Sequence, residues 1–136
     1  MNGIEFIFKV NCSRNTDEQC IMSLISSNDA KQIGISSRKF SWNVNSSDVP
    51  GNTALGLSRD YWVKLKKSGN RYLGYVSSDG QTYTEDFQIT RKENPTERYA
   101  IRIGNGPDGN RPFCGRIDLG RSYVVVRGQR AGFTVS

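Results

Sequence analysis

Apolar and polar residues alternate along most of the chain. Ile4, Phe6, Phe8 and Val10 interleave with Glu5, Lys9 and Asn11, the period-two signature of a strand with one buried face; Ile7 is the one residue out of step. Similar runs at Cys20–Ser26, Lys31–Ser36 and Lys39–Val44 follow, the last placing Trp42 on one face with Phe40 and Val44 and predicting its burial. The segment from Asn45 to Ser58, with Ser46, Ser47, Asp48, Pro50, Gly51 and Asn52, reads as the longest loop. Tyr61–Lys66 is the cleanest alternation, and it sends Tyr61, Val63 and Leu65 to the core and Trp62, Lys64 and Lys66 to the opposite face. It ends at the turn signal Ser68-Gly69-Asn70. The next run, Arg71–Ser78, closes at Ser78-Asp79-Gly80, where Asp-Gly supplies the positive φ of a tight hairpin. Tyr83–Thr90 returns, a polar connection spans Arg91–Glu97, and Tyr99–Ile103 leads to a Gly/Asn/Pro/Asp loop over Gly104–Arg111. Phe113–Leu119, Tyr123–Arg127 and Gln129–Val135 close the series. About ten short strands bounded by turn signals, without helical periodicity, predict an all-β, antiparallel two-sheet β-sandwich. The lack of a fixed-period repeat argues against a solenoid or propeller.

Length and charge narrow the picture. The 136 residues suit one domain over residues 1–136, and a mean hydropathy of −0.59 fits a thin two-layer core. A strand-like run so close to Met1 leaves open an upstream strand or domain. No apolar run approaches the roughly 20 residues of a membrane-spanning helix, and MNGIEFIFKV lacks the layout of a secretory signal. The net charge of +6 is scattered over Lys64, Lys66, Lys67, Arg91, Lys92, Arg111, Arg116, Arg121, Arg127 and Arg130, and the aromatic motifs of single-strand readers are missing. Nucleic acid is therefore disfavoured, whereas an acidic glycan or an anionic partner protein would use the same field.

Candidate chemistry is sparse. Cys12, Cys20 and Cys114 are odd in number and there is no histidine, which excludes the usual zinc site and Ser- or Cys-His nucleophile. Cys12 and Cys20 flank the polar stretch Ser13–Glu18, where a hairpin would bring them close; three thiols fit better with assembly in a reducing cytosol. Glu85 and Asp86, being adjacent, point to opposite faces of a strand and cannot form a glycosidase pair. Asn105-Gly106-Pro107-Asp108-Gly109-Asn110 offers oxygen ligands of the kind calcium uses, with Asp108 and Asn110 as the candidates. A single carboxylate makes that site weak, and a plain turn is the competing reading. No other cofactor is expected.

Two motifs carry a resemblance. YWVKLKKSGNRYLGYVSSDGQTY, from Tyr61 onward, resembles a hairpin pair of concanavalin A-like (laminin G-like) jelly-roll domains. Phe113-Cys114-Gly115-Arg116-Ile117-Asp118-Leu119 with Ser122-Tyr123-Val124 is similar to the closing P-F-x-G-x-I-D-L-x-x-S-Y-I strands of such domains in phage and prophage tail and virion proteins. EFIFKVN fits their first hairpin. In physical terms these residues specify fold: Gly115 permits close sheet packing, Asp118 can bond loop backbone and Asp79-Gly80 sets register. The resemblance implies a concanavalin A-like jelly roll, which hosts lectins, glycosidases, adhesins and spacers alike. The E-x-D-x-x-E strand of its catalytic versions is not in this sequence. Some relatives hold calcium at the sandwich edge. The expected function is a non-catalytic virion structural and adhesion module of a phage tail, fibre or capsid. It would dock to other virion or surface subunits, assemble as a homo-oligomer and touch a cell-surface glycan, without a membrane. The alternative is a carbohydrate-binding module of a bacterial surface or secreted protein. The glycan surface chosen first is Trp62 with Lys64, Lys66 and Tyr75, an aromatic face beside ammonium groups suited to an acidic or phosphorylated sugar polymer. Packing of Trp62 against the second sheet or a neighbouring loop is the competing reading.

Overall fold

A computed structural model describes residues 3–16, 18–26, 30–44, 47–90 and 99–133. Alternation is converted almost directly into strands: β1 (Glu5–Cys12), β2 (Gln19–Ile25), β3 (Ala30–Ser36), β4 (Lys39–Val44), β5 (Ser47–Ala54), β6 (Asp60–Ser68), β7 (Arg71–Ser77), β8 (Thr84–Thr90), β9 (Ala100–Ile103), β10 (Gly115–Val126) and β11 (Gln129–Gly132). They form a six-stranded sheet, β11-β10-β1-β6-β7-β8, and a five-stranded sheet, β5-β4-β3-β2-β9. All strand neighbours run antiparallel. The inner faces meet over Phe6, Phe8 and Val10 of β1, Val63 and Leu65 of β6, Ile21, Met22 and Leu24 of β2, and Ile33 and Ile35 of β3. Aromatic pairs bridge the layers, with Trp42 4.7 Å from Tyr72 and Phe40 5.2 Å from Phe87 between ring centroids. Each large side chain removed from water in this way contributes about 1.5–3 kcal/mol. Trp42, Val63 and Leu65 are buried as the alternation predicts, whereas Tyr61 is half-buried at the margin of the core.

Several expectations need correction. Residues 47–54 of the expected long loop form β5, an edge strand paired with β4; its Pro50 has no N–H to offer, which an edge tolerates. A methyl group at Gly51 would lie 1.8 Å from Asp86 Oδ2, so only glycine admits that carboxylate. Asp86 points inward from β8, and its Oδ1 accepts the Asn52 and Thr53 N–H groups at 3.0 and 2.8 Å, fastening the edge of one sheet to the edge of the other. Asp79-Gly80 does not form a tight hairpin. The connection spans residues 78–83, and Asp79 Oδ1 accepts the N–H groups of Gln81 and Thr82 at 2.9 and 2.8 Å and the Ser77 hydroxyl at 2.9 Å. Phe113–Leu119 and Tyr123–Arg127 are not separate strands, because both halves pair with β1 and belong to one strand, β10. Arg91–Glu97 and the last residues of the run ending at Val135 lie outside the described residues.

Two buried lysines were not foreseen. Lys31 and Lys67 enter the interior of the sandwich, where Lys31 Nζ lies 4.0 Å from the Tyr99 ring centroid and Lys67 Nζ lies 5.1 Å from that of Tyr72. Aromatic faces stabilise ammonium groups withdrawn from water. The three cysteines are free thiols, with Cys12 and Cys20 buried.

Candidate binding groove on the larger sheet

The groove arises from an irregularity in β10. Tyr123 is opposite Ile7 and Asp118 is opposite Lys9, so residues 119–122 bulge out where β1 supplies only Phe8. Ser122, buried at the neck of the bulge, accepts the Lys9 N–H at 3.0 Å and donates its hydroxyl to the Asp118 carbonyl at 2.7 Å. Beside the bulge lies a cavity of about 420 Å³ lined by Lys9, Val10, Asn11, Asp60, Arg116, Ile117 and Asp118. Pairing fixes its layout: Lys9 stands between Asp118 and Trp62, and Asn11 between Arg116 and Asp60. Gly115 sets the approach of β10 here, since a Cβ at that position would lie 2.0 Å from the Asn11 carbonyl oxygen.

Carboxylates and cations are interleaved in this groove. Asn11 Nδ2 donates to Asp60 Oδ1 at 2.9 Å, and Lys9 Nζ lies 3.6 Å from Asp60 Oδ2. The Asn11 bond first, and then the Lys9 charge, hold the Asp60 carboxyl below its ordinary range. Arg121 Nη1 donates to Asp118 Oδ2 at 2.9 Å, and this bond lowers the Asp118 carboxyl in the same sense, helped by the Arg121 backbone. Both groups are therefore anionic acceptors at neutral pH. Arg116 is exposed, and its guanidinium makes no ion pair or hydrogen bond among the described residues.

Trp62, Lys64, Lys66 and Tyr75 share the outer face of β6 and β7. Trp62 is half-buried, with Lys9 Nζ 5.0 Å from its ring centroid and Gly80 against the ring, where a Cβ would come within 2.9 Å of Cε2. Lys64 Nζ sits over Tyr83 at 4.0 Å and Tyr75 at 5.6 Å, and Lys66 Nζ is 4.0 Å from Glu5 Oε1. Burial raises both phenols, Tyr83 to about 12. The groove lies on the other side of Trp62, across β1. The sequence reading missed Lys9, Asn11, Asp60, Arg116 and Asp118 as one site. The available signal was I-D-L-x-x-S-Y, whose aspartate and serine build the bulge.

The loop proposed for calcium is organised by its own bonds. Asp108 Oδ1 accepts the Asn110 N–H at 3.0 Å, Asn105 Oδ1 accepts those of Gly106 and Arg111, and Arg102 Nη1 donates to the Gly106 and Pro107 carbonyls at 3.0 and 3.2 Å. No cluster of three His, Cys, Asp or Glu side chains suited to a metal occurs among the described residues.

Strand order and packing define a concanavalin A-like β-sandwich of jelly-roll type. Among solved structures, the chain is similar to the LG1–3 region of the laminin α2 chain, with 12% identity, a TM-score of 0.68, and coverage of 96% of this chain and 28% of that one. It is also similar to the native heptameric SAP-like pentraxin from Limulus polyphemus (14% identity, TM-score 0.64, coverage 90% and 63%). A third similarity is to domains LG4–5 of the mouse laminin α1 chain (13% identity, TM-score 0.61, coverage 99% and 39%). The chain thus spans less than two thirds of each of these three chains, and at these identities the likeness concerns fold alone. No family model matches the sequence, and no curated protein matches it.

Proposed function

We propose that the chain is a non-catalytic recognition and assembly module displayed outside the cell, and that the β10-β1-β6 groove takes a hydroxyl-rich ligand such as a glycan. The observation that carries this reading is the groove itself. Strands hold the carboxylates of Asp60 and Asp118 and the amide of Asn11 side by side, with the Trp62 indole at the border. Ionised carboxylates and amide oxygens accept hydrogen bonds from sugar hydroxyls, and strands hold such groups more rigidly than loops do. Glycoside hydrolysis asks instead for one carboxyl kept protonated as a general acid. Both carboxyls here are held down. The fold neighbours, laminin G domains and a pentraxin, bear on this reading and on the extracellular setting only as a fold-level analogy.

The finer reading is a tail, fibre or capsid module of a phage-type virion that docks to neighbouring subunits. It rests on the sequence resemblance at Phe113–Val124. A carbohydrate-binding module of a bacterial surface protein is the alternative. Light scattering separates them: a homo-oligomer is expected of the virion module and a 15.2 kDa monomer of the other. For the groove, a glycan array should show binding that Asp60→Asn and Asn11→Ala weaken at least ten-fold while their melting temperatures hold. Binding unaltered by both changes, or an empty array, overturns the groove as the ligand site.

A further inference from the structure

We infer that Arg116 makes this groove selective for a sugar unit bearing a single carboxylate. The inference rests on the glycan-binding reading above and adds its charge class.

The reasoning is one of charge pairing within a small space. Lys9 is matched by Asp60 and Arg121 by Asp118. Arg116, beside Asn11 on the adjacent strand, lines the same cavity and makes no contact pair among the described residues, its charge reaching Asp60 only from a distance and as the weakest of the influences on that carboxyl. Its backbone is fixed by register against β1 and by the close approach of Gly115 to the Asn11 carbonyl. A guanidinium presents a planar fork that fits a carboxylate through two parallel N–H···O bonds. One unmatched cation calls for one anionic group, and the rest of the ligand must bring donors, because what faces it is the carboxylates of Asp60 and Asp118 and the Oδ1 of Asn11, whose Nδ2 is spent on Asp60. A sugar acid has this composition: one carboxylate for Arg116 and several hydroxyls for the acceptors. A run of acidic residues in a polypeptide would instead meet two carboxylates of its own sign.

The test uses the purified full chain and titration calorimetry with matched pairs, sialyllactose against lactose and oligogalacturonate against its carboxyl-reduced form. At least one acidic probe should bind ten-fold or more tightly than its neutral partner. Arg116→Gln should abolish that preference, so that acidic and neutral members bind alike, with the melting temperature unchanged. Arg116→Lys, which keeps the charge and loses the fork, should restore only part of it. Whichever pair shows the preference distinguishes a nonulosonate from a uronate. Equal binding of acidic and neutral members, a preference that survives Arg116→Gln, or tighter binding of an oligoglutamate peptide or a sulfated neutral oligosaccharide overturns the inference. Asp60→Asn tests the parent reading separately: it should weaken acidic and neutral probes alike, so a groove that Asp60→Asn weakens but that shows no acid preference dependent on Arg116 refutes the inference alone.

Discussion

Replacing Ser122 by alanine tests how the groove is built. Ser122 is 3% exposed, and its hydroxyl makes two bonds, accepting the Lys9 N–H at 3.0 Å and donating to the Asp118 carbonyl at 2.7 Å. Alanine keeps the backbone and most of the volume but removes both. Orphaning a buried N–H costs about 1–3 kcal/mol, and loss of the second bond adds about 0.5–1.5 kcal/mol. The expected destabilisation is about 1.5–4.5 kcal/mol, a large share of the roughly 5–15 kcal/mol that holds a domain together. At about 4 °C per kcal/mol for a chain of this size, the melting temperature should fall by roughly 6–18 °C. Urea unfolding followed by tryptophan emission and far-ultraviolet circular dichroism measures both quantities. Ser122→Thr, which retains the hydroxyl, should recover much of the loss. A Ser122→Ala loss below about 0.5 kcal/mol would refute the reasoning, since water would then be reaching the Lys9 N–H and the bulge would be held by something else.

Leu65→Ala, at a 1% exposed core position, should cost about 2–5 kcal/mol in urea unfolding; a near-neutral result would mean that the faces of β6 are reversed. Gly115→Ala brings a Cβ to 2.0 Å from backbone oxygen, whereas Gly69→Ala meets nothing within 4 Å, so the first should lower the melting temperature far more than the second, which bears only the strain of its positive φ. The Asp118 carboxyl is held below its ordinary value of 3.8, chiefly by Arg121. Its contribution to stability is therefore complete above that value and is lost as pH falls through the lower folded pKa. The stability gap between the wild type and Asp118→Asn should shrink over that acid range, and a constant gap would contradict the pairing. Burial raises the thiols of Cys12 to about 11 and Cys20 to about 12. A thiol reagent at pH 8 should accordingly modify half-buried Cys114 alone in the native protein and all three cysteines after denaturation.

Alternation alone determined most of the strands and the faces of the cleanest ones, because period two is the geometry of the pleat. Trp42, Val63 and Leu65 were legible for that reason, and so was the division of β6 that puts Trp62, Lys64 and Lys66 outside. The same rule failed at β5, whose Pro50 and Gly51 read as breakers. Only the sheet edge makes the proline tolerable, and only Asp86, 35 residues farther along from Gly51, explains the glycine. It failed again at β10, where a bulge looked like a gap between strands until β1 was seen to pair with both halves. The groove was the least legible feature, because Asn11, Asp60 and Arg116 come from segments far apart in sequence and meet only through the register of β10, β1 and β6. A strand pattern states which face a side chain occupies; which distant side chains share that face depends on strand order, and strand order is decided by the packing of the whole sandwich.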